Sequence, residues 1–375
     1  MIKRIAVIMA GGSGERFWPL SRRRRPKQLL KLASEKTLIE ESIDRISGLI
    51  PKEDIFIITG ELLLEPIREV LGEFPPQNII AEPYKRNTAP CLALAASIAL
   101  AKHHNKYDAS RIVMAVLTAD QLINPIEGFL KTIDHLMNYV GSNQVLATIG
   151  IKPTRAETGF GYIEVDKPFD FSSSENEISK VKSFHEKPDY NRAVEFMGSG
   201  KFLWNSGMFF WRIDKFIEEM IQNLPEIGTK IQQLREIYFK NTDLVLSGPL
   251  NEAKEIFSEF PDISIDYGLM EKAKDVVVAK ALFDWDDIGS WDSLGRFKKT
   301  DNDKNILEGN NIILESKNTT VINHSGGKIL FAGLGLDNFV VVVTEDAVLL
   351  CPKDKVQDVK KIVGQIKVTE RDSWL

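Results

Sequence analysis

Three glycines and a serine at the end of an apolar run, with an arginine and a lysine close behind, are the residues of this chain best suited to chemistry. The run is residues 5–10, followed by Gly11, Gly12, Ser13 and Gly14, then Glu15, Arg16, Phe17, Trp18, Pro19 and Leu20, and later Pro26, Lys27 and Gln28. A glycine-rich turn at the carboxyl end of a strand lets backbone N–H groups approach phosphate oxygens closely. It is not a Walker A loop, because no Gly-Lys-Ser/Thr follows, and Phe17 stands where a dinucleotide fingerprint has its third glycine. Arg16 and Lys27 carry the charge to neutralise a triphosphate and a departing pyrophosphate. Were the turn only a turn, Arg22 to Arg25 would be a solvated charge run.

Such a loop needs a scaffold, and the flanking periodicity supplies one. Residues 5–10 are apolar without a break, as in a strand buried on both faces of a parallel sheet. Thr37 and Glu40 have the spacing of a capping box, Ile39, Ile43 and Ile46 share a helical face, and Gly48 and Pro51 stop that helix. Strands at 55–59, 78–81, 112–117 and 144–151 alternate with helices at 61–71, 90–102 and 127–140, which predicts a doubly wound α/β sheet. Residues 152–211 read as mixed strands and loops. Residues 213–259 read as mainly helical, interrupted at Pro225 and at Gly248-Pro249, the place for a second-substrate lobe.

The polar stretch 298–305 reads as a linker, dividing the chain into 1–297 and 298–375. Beyond it, short β segments are expected at 311–314, 319–323, 329–332, 339–343 and 347–351, forming a small β-solenoid or a sandwich. A last helix, 355–366, should pack on them.

Composition narrows the class. With 43% apolar and 27% charged residues the chain is an ordinary globular protein, and its net charge of -5 recruits neither nucleic acid nor an anionic membrane. Cys91 and Cys351 are far apart in apolar stretches, which argues against a disulfide framework and for a reducing compartment. The apolar run at residues 1–10 is too short for a signal peptide, and no segment approaches the ~20 apolar residues of a bilayer span. A cytoplasmic enzyme is expected.

The segment from Gly11 to Gln28 resembles the signature of the nucleoside-diphosphate-sugar pyrophosphorylases, and within them the mannose-1-phosphate guanylyltransferases. The resemblance continues through Ala81-Glu82-Pro83, Arg86-Asn87-Thr88-Ala89-Pro90, Thr118-Ala119-Asp120, Glu157-Thr158-Gly159-Phe160-Gly161-Tyr162-Ile163, Phe184-His185-Glu186-Lys187-Pro188, Trp204-Asn205-Ser206-Gly207-Met208-Phe209, Ser264-Ile265-Asp266-Tyr267 and Trp285-Asp286-Asp287-Ile288-Gly289-Ser290-Trp291. It implies a Rossmann-like, GT-A-like nucleotidyltransferase domain followed by a short left-handed β-helix. It also implies transfer of GMP from GTP to α-D-mannose 1-phosphate, giving GDP-mannose and pyrophosphate.

On that resemblance the site residues follow. Gly11, Gly12, Ser13 and Gly14 hold the nucleotide phosphates, with Arg16 and Lys27 as catalytic cations. Glu82 takes the guanine edge, whose N1–H and N2–H donors suit one carboxylate. Asn87 and Thr88 shape the nucleotide pocket. Asp120 and Asp287 are the Mg²⁺ ligands, leaving phosphate and water to fill the octahedron, and Asp286 is a loop residue. Glu157, Gly161, Glu186 and Asn205 meet the hexose, Gly161 through its backbone, and Lys187 meets the sugar phosphate. His185 is structural or exposed.

Two positions depart from the family. Glu15 stands where threonine is usual and puts a negative charge into a phosphate loop, unless it turns to a nearby arginine. Gln121 stands for a histidine and loses its potential charge. They motivate two rivals: a sister pyrophosphorylase with another nucleotide or hexose phosphate, and a non-catalytic sugar-nucleotide sensor. A fused mannose-6-phosphate isomerase is not expected, since the tail to Leu375 offers only His324. The C-terminal β unit is a candidate homodimer surface.

Overall fold

A computed structural model of the chain describes residues 2–241 and 248–375. It folds as two compact units that are not consecutive in sequence. The first comprises Met1–Gly11, Ser42–Ala119 and Ile123–Trp285, the second Gly12–Glu41, Asp120–Leu122 and Asp286–Leu375. The sequence suggests one division after residue 297. The structure instead assigns the glycine loop to the same unit as the C-terminal strands.

The first unit is built on a nine-stranded sheet. Lys3–Met9 pairs in parallel with Ile55–Gly60 on one side and Ile112–Thr118 on the other, and Ile79–Glu82 extends the parallel edge. The order reverses around Lys3–Met9, so the loop that follows it leaves from a topological switch point, where α/β sheets bind ligands. The second half of the sheet is not the continuation that alternation predicts. Phe202–Arg212 runs antiparallel to both Ile112–Thr118 and Leu146–Ile151, and Tyr162–Val165 pairs antiparallel with Ile178–His185. The sheet is therefore mixed.

Helix Thr88–His103 is buried almost all round, which its alanine- and leucine-rich sequence allows, and Ser97 donates to the Ile231 carbonyl of helix Ile231–Lys240 at 3.1 Å. The stretch 152–211 also contains a helix, Tyr190–Ser199. Asp189 caps its first turn by accepting from Arg192 N at 3.0 Å, and Gly200 at φ 69° ends it. Pro225 breaks the next helical region as expected, opening the short helix Pro225–Gly228. The expected helical stretch 213–259 lies outside the described residues at 242–247.

The capping box closes as expected at the start of a helix that begins in the second unit and continues in the first. Thr37 N donates to Glu40 Oε2 at 2.7 Å and Ile39, Ile43 and Ile46 of helix Leu38–Ser47 are buried. The C-terminal strands stack as rungs. Ile306–Glu308, Thr320–Asn323 and Phe339–Val343 pair in parallel, Asn311–Leu314 pairs in parallel with Phe331–Leu334, and Val348–Pro352 closes antiparallel on Phe339–Val343. Parallel stacking of successive short strands is a β-helix-like coil and not a sandwich. Inside the coil Val321, Val341 and Val343 pack together. On the other face Ile322, Val340, Val342 and Leu349 pack with Phe17, Trp18, Leu20, Trp291 and Val363. That shared core draws residues 12–41 into this unit. The stretch 298–305 is no free linker either, for Asn305 is buried and donates to the Ser316 carbonyl at 2.9 Å.

Candidate functional site

In the second unit the glycine loop is shaped by one close approach. Gly14 has φ 59°, and a Cβ there would lie 2.4 Å from Lys27 Cβ and 2.6 Å from Lys27 N. Only glycine tolerates both the left-handed backbone and the contact. Lys27 is thereby fixed against the loop, and Gln28 Nε2 donates to the Gly12 carbonyl at 3.2 Å. Phe17 and Trp18 anchor the far side in the apolar core, where the Trp291 indole donates to the Trp18 carbonyl at 3.1 Å.

Lys27 is 7% exposed, a burial that a lysine requires partners to sustain. Its Nζ donates to Asp120 Oδ2 at 2.9 Å and to the Asp287 carbonyl at 2.5 Å. Ser13, Gly14, Glu15, Arg16, Lys27, Asp120, Gln121 and Asp287 line one cavity of about 390 Å³. The structure thus brings together the two expected cations and both expected metal ligands. Withdrawal from water pushes the Asp287 carboxyl up to about 6, with Lys27 opposing and Asp286 and Asp120 adding to the rise. The Asp120 and Asp287 carboxylates, oxygen-only donors on the wall of one cavity, fit a hard divalent cation completed by phosphate and water. Among the described residues no group of three or more His, Cys, Asp or Glu side chains is arranged to hold a metal by itself. Asp286 is otherwise engaged, accepting from Arg296 Nη2 at 2.7 Å and from Ile288 N at 2.8 Å.

Glu15 lines the cavity with its carboxylate paired, to a lysine and not to an arginine: Lys367 Nζ lies 2.6 Å from Glu15 Oε1. The arginine run is not simply solvated. Arg22 bridges Asp346 at 2.7 Å and the Trp374 carbonyl at 3.0 Å, and Arg23 pairs with Asp372 at 2.9 Å.

In the first unit the remaining site residues fall into two sets. Glu82 ends Ile79–Glu82 and is 9% exposed; a Cβ on Gly11 would lie 3.4 Å from its Oε1. Burial pushes its carboxyl up to about 8, against the pull of Lys85. Asn87, at φ 67°, caps helix Thr88–His103 by accepting from Thr88 N at 3.0 Å. The Thr88 hydroxyl accepts from Ile265 N at 2.8 Å, so part of its capacity is spent on holding that loop.

The second set is braced by hydrogen bonds. Glu157 accepts from Arg155 Nε at 3.0 Å and from Gly159 N at 3.1 Å, and the Tyr162 hydroxyl donates to the Glu157 carbonyl at 2.9 Å. A Cβ on Gly161 would lie 2.4 Å from Glu186 Oε2, and the Gly161 carbonyl accepts from Asn205 N at 2.8 Å. Asn205 Nδ2 donates to Asp266 Oδ1 at 2.8 Å. Glu186 pairs with the exposed Lys187 at 2.9 Å, which raises the lysine's pKa. His185 packs against Phe196 and Phe202, with Ser183 Oγ 2.9 Å from its Nε2, a structural setting.

Three contributors escape sequence reasoning. Asp266, which opens a π-helical turn Asp266–Met270, holds Asn205, and desolvation followed by Glu186 pushes its carboxyl up to about 6. Its signal is the Ser264-Ile265-Asp266-Tyr267 block itself. Lys367 and Lys360, on helix Val359–Val368, reach Glu15 and the same cavity respectively, and no local pattern marks them.

The Nucleotidyl transferase family matches residues 5–304, and the MannoseP isomerase/GMP-like beta-helix domain matches residues 309–366. A mannose-1-phosphate guanylyltransferase of Escherichia coli is 35% identical over 370 residues, 98% of this chain and 76% of the relative. The mannose-1-phosphate guanylyltransferase RfbM of Salmonella typhimurium is 37% identical over 373 residues, 99% of this chain and 74% of the relative. A crystal structure from Thermus thermophilus, described as a mannose-1-phosphate geranyltransferase, superposes with a TM-score of 0.83 at 29% identity, covering 98% of this chain and 100% of that one.

Proposed function

The chain belongs to the nucleotidyl transferase family, and from that premise we propose that it transfers GMP from GTP to α-D-mannose 1-phosphate, releasing GDP-mannose and pyrophosphate. The observation that carries the reading is the cavity in which Arg16, Lys27, Asp120 and Asp287 converge beneath a glycine-rich turn. No covalent intermediate is needed. A phosphate oxygen of mannose 1-phosphate attacks the α-phosphorus of GTP in line, and the bond to the α,β-bridging oxygen breaks.

Arg16 and Lys27 neutralise the charge that develops on the departing pyrophosphate. Asp120 and Asp287 would hold Mg²⁺, which when bound supplies further charge neutralisation at the phosphates. Lys27, tied to the Asp120 carboxylate and to the Asp287 backbone, links these two residues before substrate arrives. Glu82 reads guanine, Asn87 and Thr88 border the nucleotide, Glu157, Gly161, Glu186 and Asn205 bind the hexose, and Lys187 orients the attacking phosphate. Glu15 offers no obstacle, because Lys367 offsets its charge.

In chain order we retain a nucleotidyltransferase segment, 1–297, and a β-helix-like segment, 298–375. No helix among the described residues is long and apolar enough to cross a membrane, and a cytoplasmic enzyme is the reading we adopt. On the paired strands Asn311–Leu314 and Phe331–Leu334, Ile312, Leu314 and Leu334 are 53%, 62% and 69% exposed, which supports a homodimer that light scattering can test. The test of function is pyrophosphate release from a panel of nucleoside triphosphates and hexose 1-phosphates, with and without Mg²⁺. The expected result is selective, Mg²⁺-dependent turnover of GTP with mannose 1-phosphate. Preference for another pair, or no turnover, overturns the reading.

A further inference from the structure

We propose that Lys360, on the C-terminal helix Val359–Val368, is a phosphate-contacting residue, a third cation for the β- and γ-phosphates of the nucleotide and for the pyrophosphate they become. The inference deepens the functional reading above and rests on it.

The cavity that holds Gly14, Arg16, Lys27, Asp120 and Asp287 is also lined by Lys360. What distinguishes Lys360 is how the neighbouring cations are spent. Lys27 is committed to Asp120 and the Asp287 carbonyl, Lys367 to Glu15, and Arg296 to Asp286. Lys361, the next residue along the helix, pairs with Asp358 at 2.9 Å. Arg16 and Lys360 are left as the cavity-lining cations that make no ion pair among the described residues. A triphosphate entering this space brings more negative charge than Arg16 alone offsets, so a second uncommitted cation at its wall has a use.

Its position is built, not incidental. Val359 and Val363, 1% and 4% exposed, seat the helix in the core that contains Phe17, Trp18 and Trp291. The Lys367–Glu15 pair ties the helix to the glycine loop itself. Beyond the helix, the Trp374 carbonyl accepts from the Trp18 indole at 2.8 Å and from Arg22 at 3.0 Å, and Asp372 pairs with Arg23. The chain that carries Lys360 is therefore fastened to the chain that carries Arg16 at Glu15, Trp18, Arg22 and Arg23. Lys360 itself is exposed, as a side chain kept for a ligand would be.

The experiment compares K360M, K360R and K361M with the wild type. Pyrophosphate binding is measured by calorimetry, and the KM values for GTP and mannose 1-phosphate by steady-state assay. Loss of one charge-assisted contact should weaken pyrophosphate binding and raise the GTP KM about tenfold in K360M, with the mannose 1-phosphate KM held within about twofold. K360R should recover most of the loss, and K361M should match the wild type. Wild-type pyrophosphate affinity in K360M overturns the proposal, as does an equal loss in K361M, which removes the same charge one residue away. Should the wild type fail to turn over GTP with mannose 1-phosphate, the functional reading falls, while the pyrophosphate titration still decides the role of Lys360.

Discussion

The proposed phosphate cavity and the proposed hexose residues are held in opposite ways. Around the cavity the backbone is fixed by apolar packing and by the Gly14–Lys27 approach, while Arg16 and Lys360 have no ion pair among the described residues. At Glu157 and Asn205 the side chains themselves are fixed, each tied by hydrogen bonds to a neighbour. The difference follows from the ligands. A phosphate is bound by charge and tolerates a cation that arrives from several directions. A neutral hydroxyl must meet an acceptor already aimed at it, since each such bond contributes only about 1 kcal/mol net. Rigid backbone with free cations suits the first, and braced acceptors suit the second.

The largest effect should come from Lys27, the one buried cation lining the cavity among the described residues. Lys27→Ala is expected to lower turnover about a thousandfold while the protein stays folded, measured as pyrophosphate release alongside circular dichroism. Wild-type turnover in the folded variant would remove Lys27 from the mechanism and leave the cavity's cations equivalent. Next in size is a pair of glycine substitutions. Gly14→Ala must move Lys27 and strain a φ of 59°, so it should cost about 1–2 kcal/mol of stability and most of the activity. Gly12→Ala, whose Cβ would meet nothing within 4 Å, should be close to wild type in melting temperature. Equal behaviour of the two would mean that the loop's shape does not depend on the approach to Lys27.

Glu82 sharpens the comparison through pH. With its carboxyl raised to about 8, it is protonated in the free protein at neutral pH, yet it must be ionised to accept both guanine donors. GTP affinity should therefore rise with pH, by up to about tenfold per unit, and level off above about 8. The stability linkage has the opposite sign. A carboxyl raised above its usual 4.5 favours the folded state fully below that pH and loses this as pH rises through about 8. Affinity should thus climb over the interval in which the free protein loses this contribution. A flat GTP affinity between pH 6.5 and 8.5 would take Glu82 out of base recognition.

Much of this arrangement is legible in the sequence, and the reasons differ by region. Residues 5–10 announce a parallel strand because both faces are buried, so every position is apolar. Residues 11–28 announce phosphate binding because glycine and charge act locally. Phe202–Arg212 hides its role, since an antiparallel strand buried in mid-sheet has neither alternation nor a continuous apolar run: Asn205, Ser206 and Gly207 interrupt it for the site's sake. Helix Tyr190–Ser199 is legible in principle from Asp189 and Gly200, its two caps. Lys360, Lys367 and the Glu15 pair are not, because only the tertiary core brings residue 15 to residue 367. Asp266 lies between these cases. It sits in a recognisable block, but its task of holding Asn205 61 residues away is fixed by folding alone.

That task gives the smallest expected effect and the most direct test of braced acceptors. Asn205 Oδ1 already accepts from Thr148 Oγ1 at 3.3 Å and from Gly207 N at 3.2 Å, so its amide nitrogen is aimed at Asp266. In Asp266→Asn, either the new amide offers its oxygen and preserves the bond, or two NH₂ groups face one another and Asn205 rotates. A neutral acceptor is also weaker than a carboxylate, so even the first case loosens Asn205. The KM for mannose 1-phosphate should rise about three- to tenfold, with the GTP KM and the melting temperature little changed. With burial pushing the Asp266 carboxyl up to about 6, the ratio of the variant's KM to the wild type's should fall toward one as pH drops below that value, the titration of the substrate phosphate cancelling in the ratio. A variant whose mannose 1-phosphate KM matches the wild type at neutral pH would show that Asn205 needs no brace, and that the contrast between the two regions does not extend to this residue.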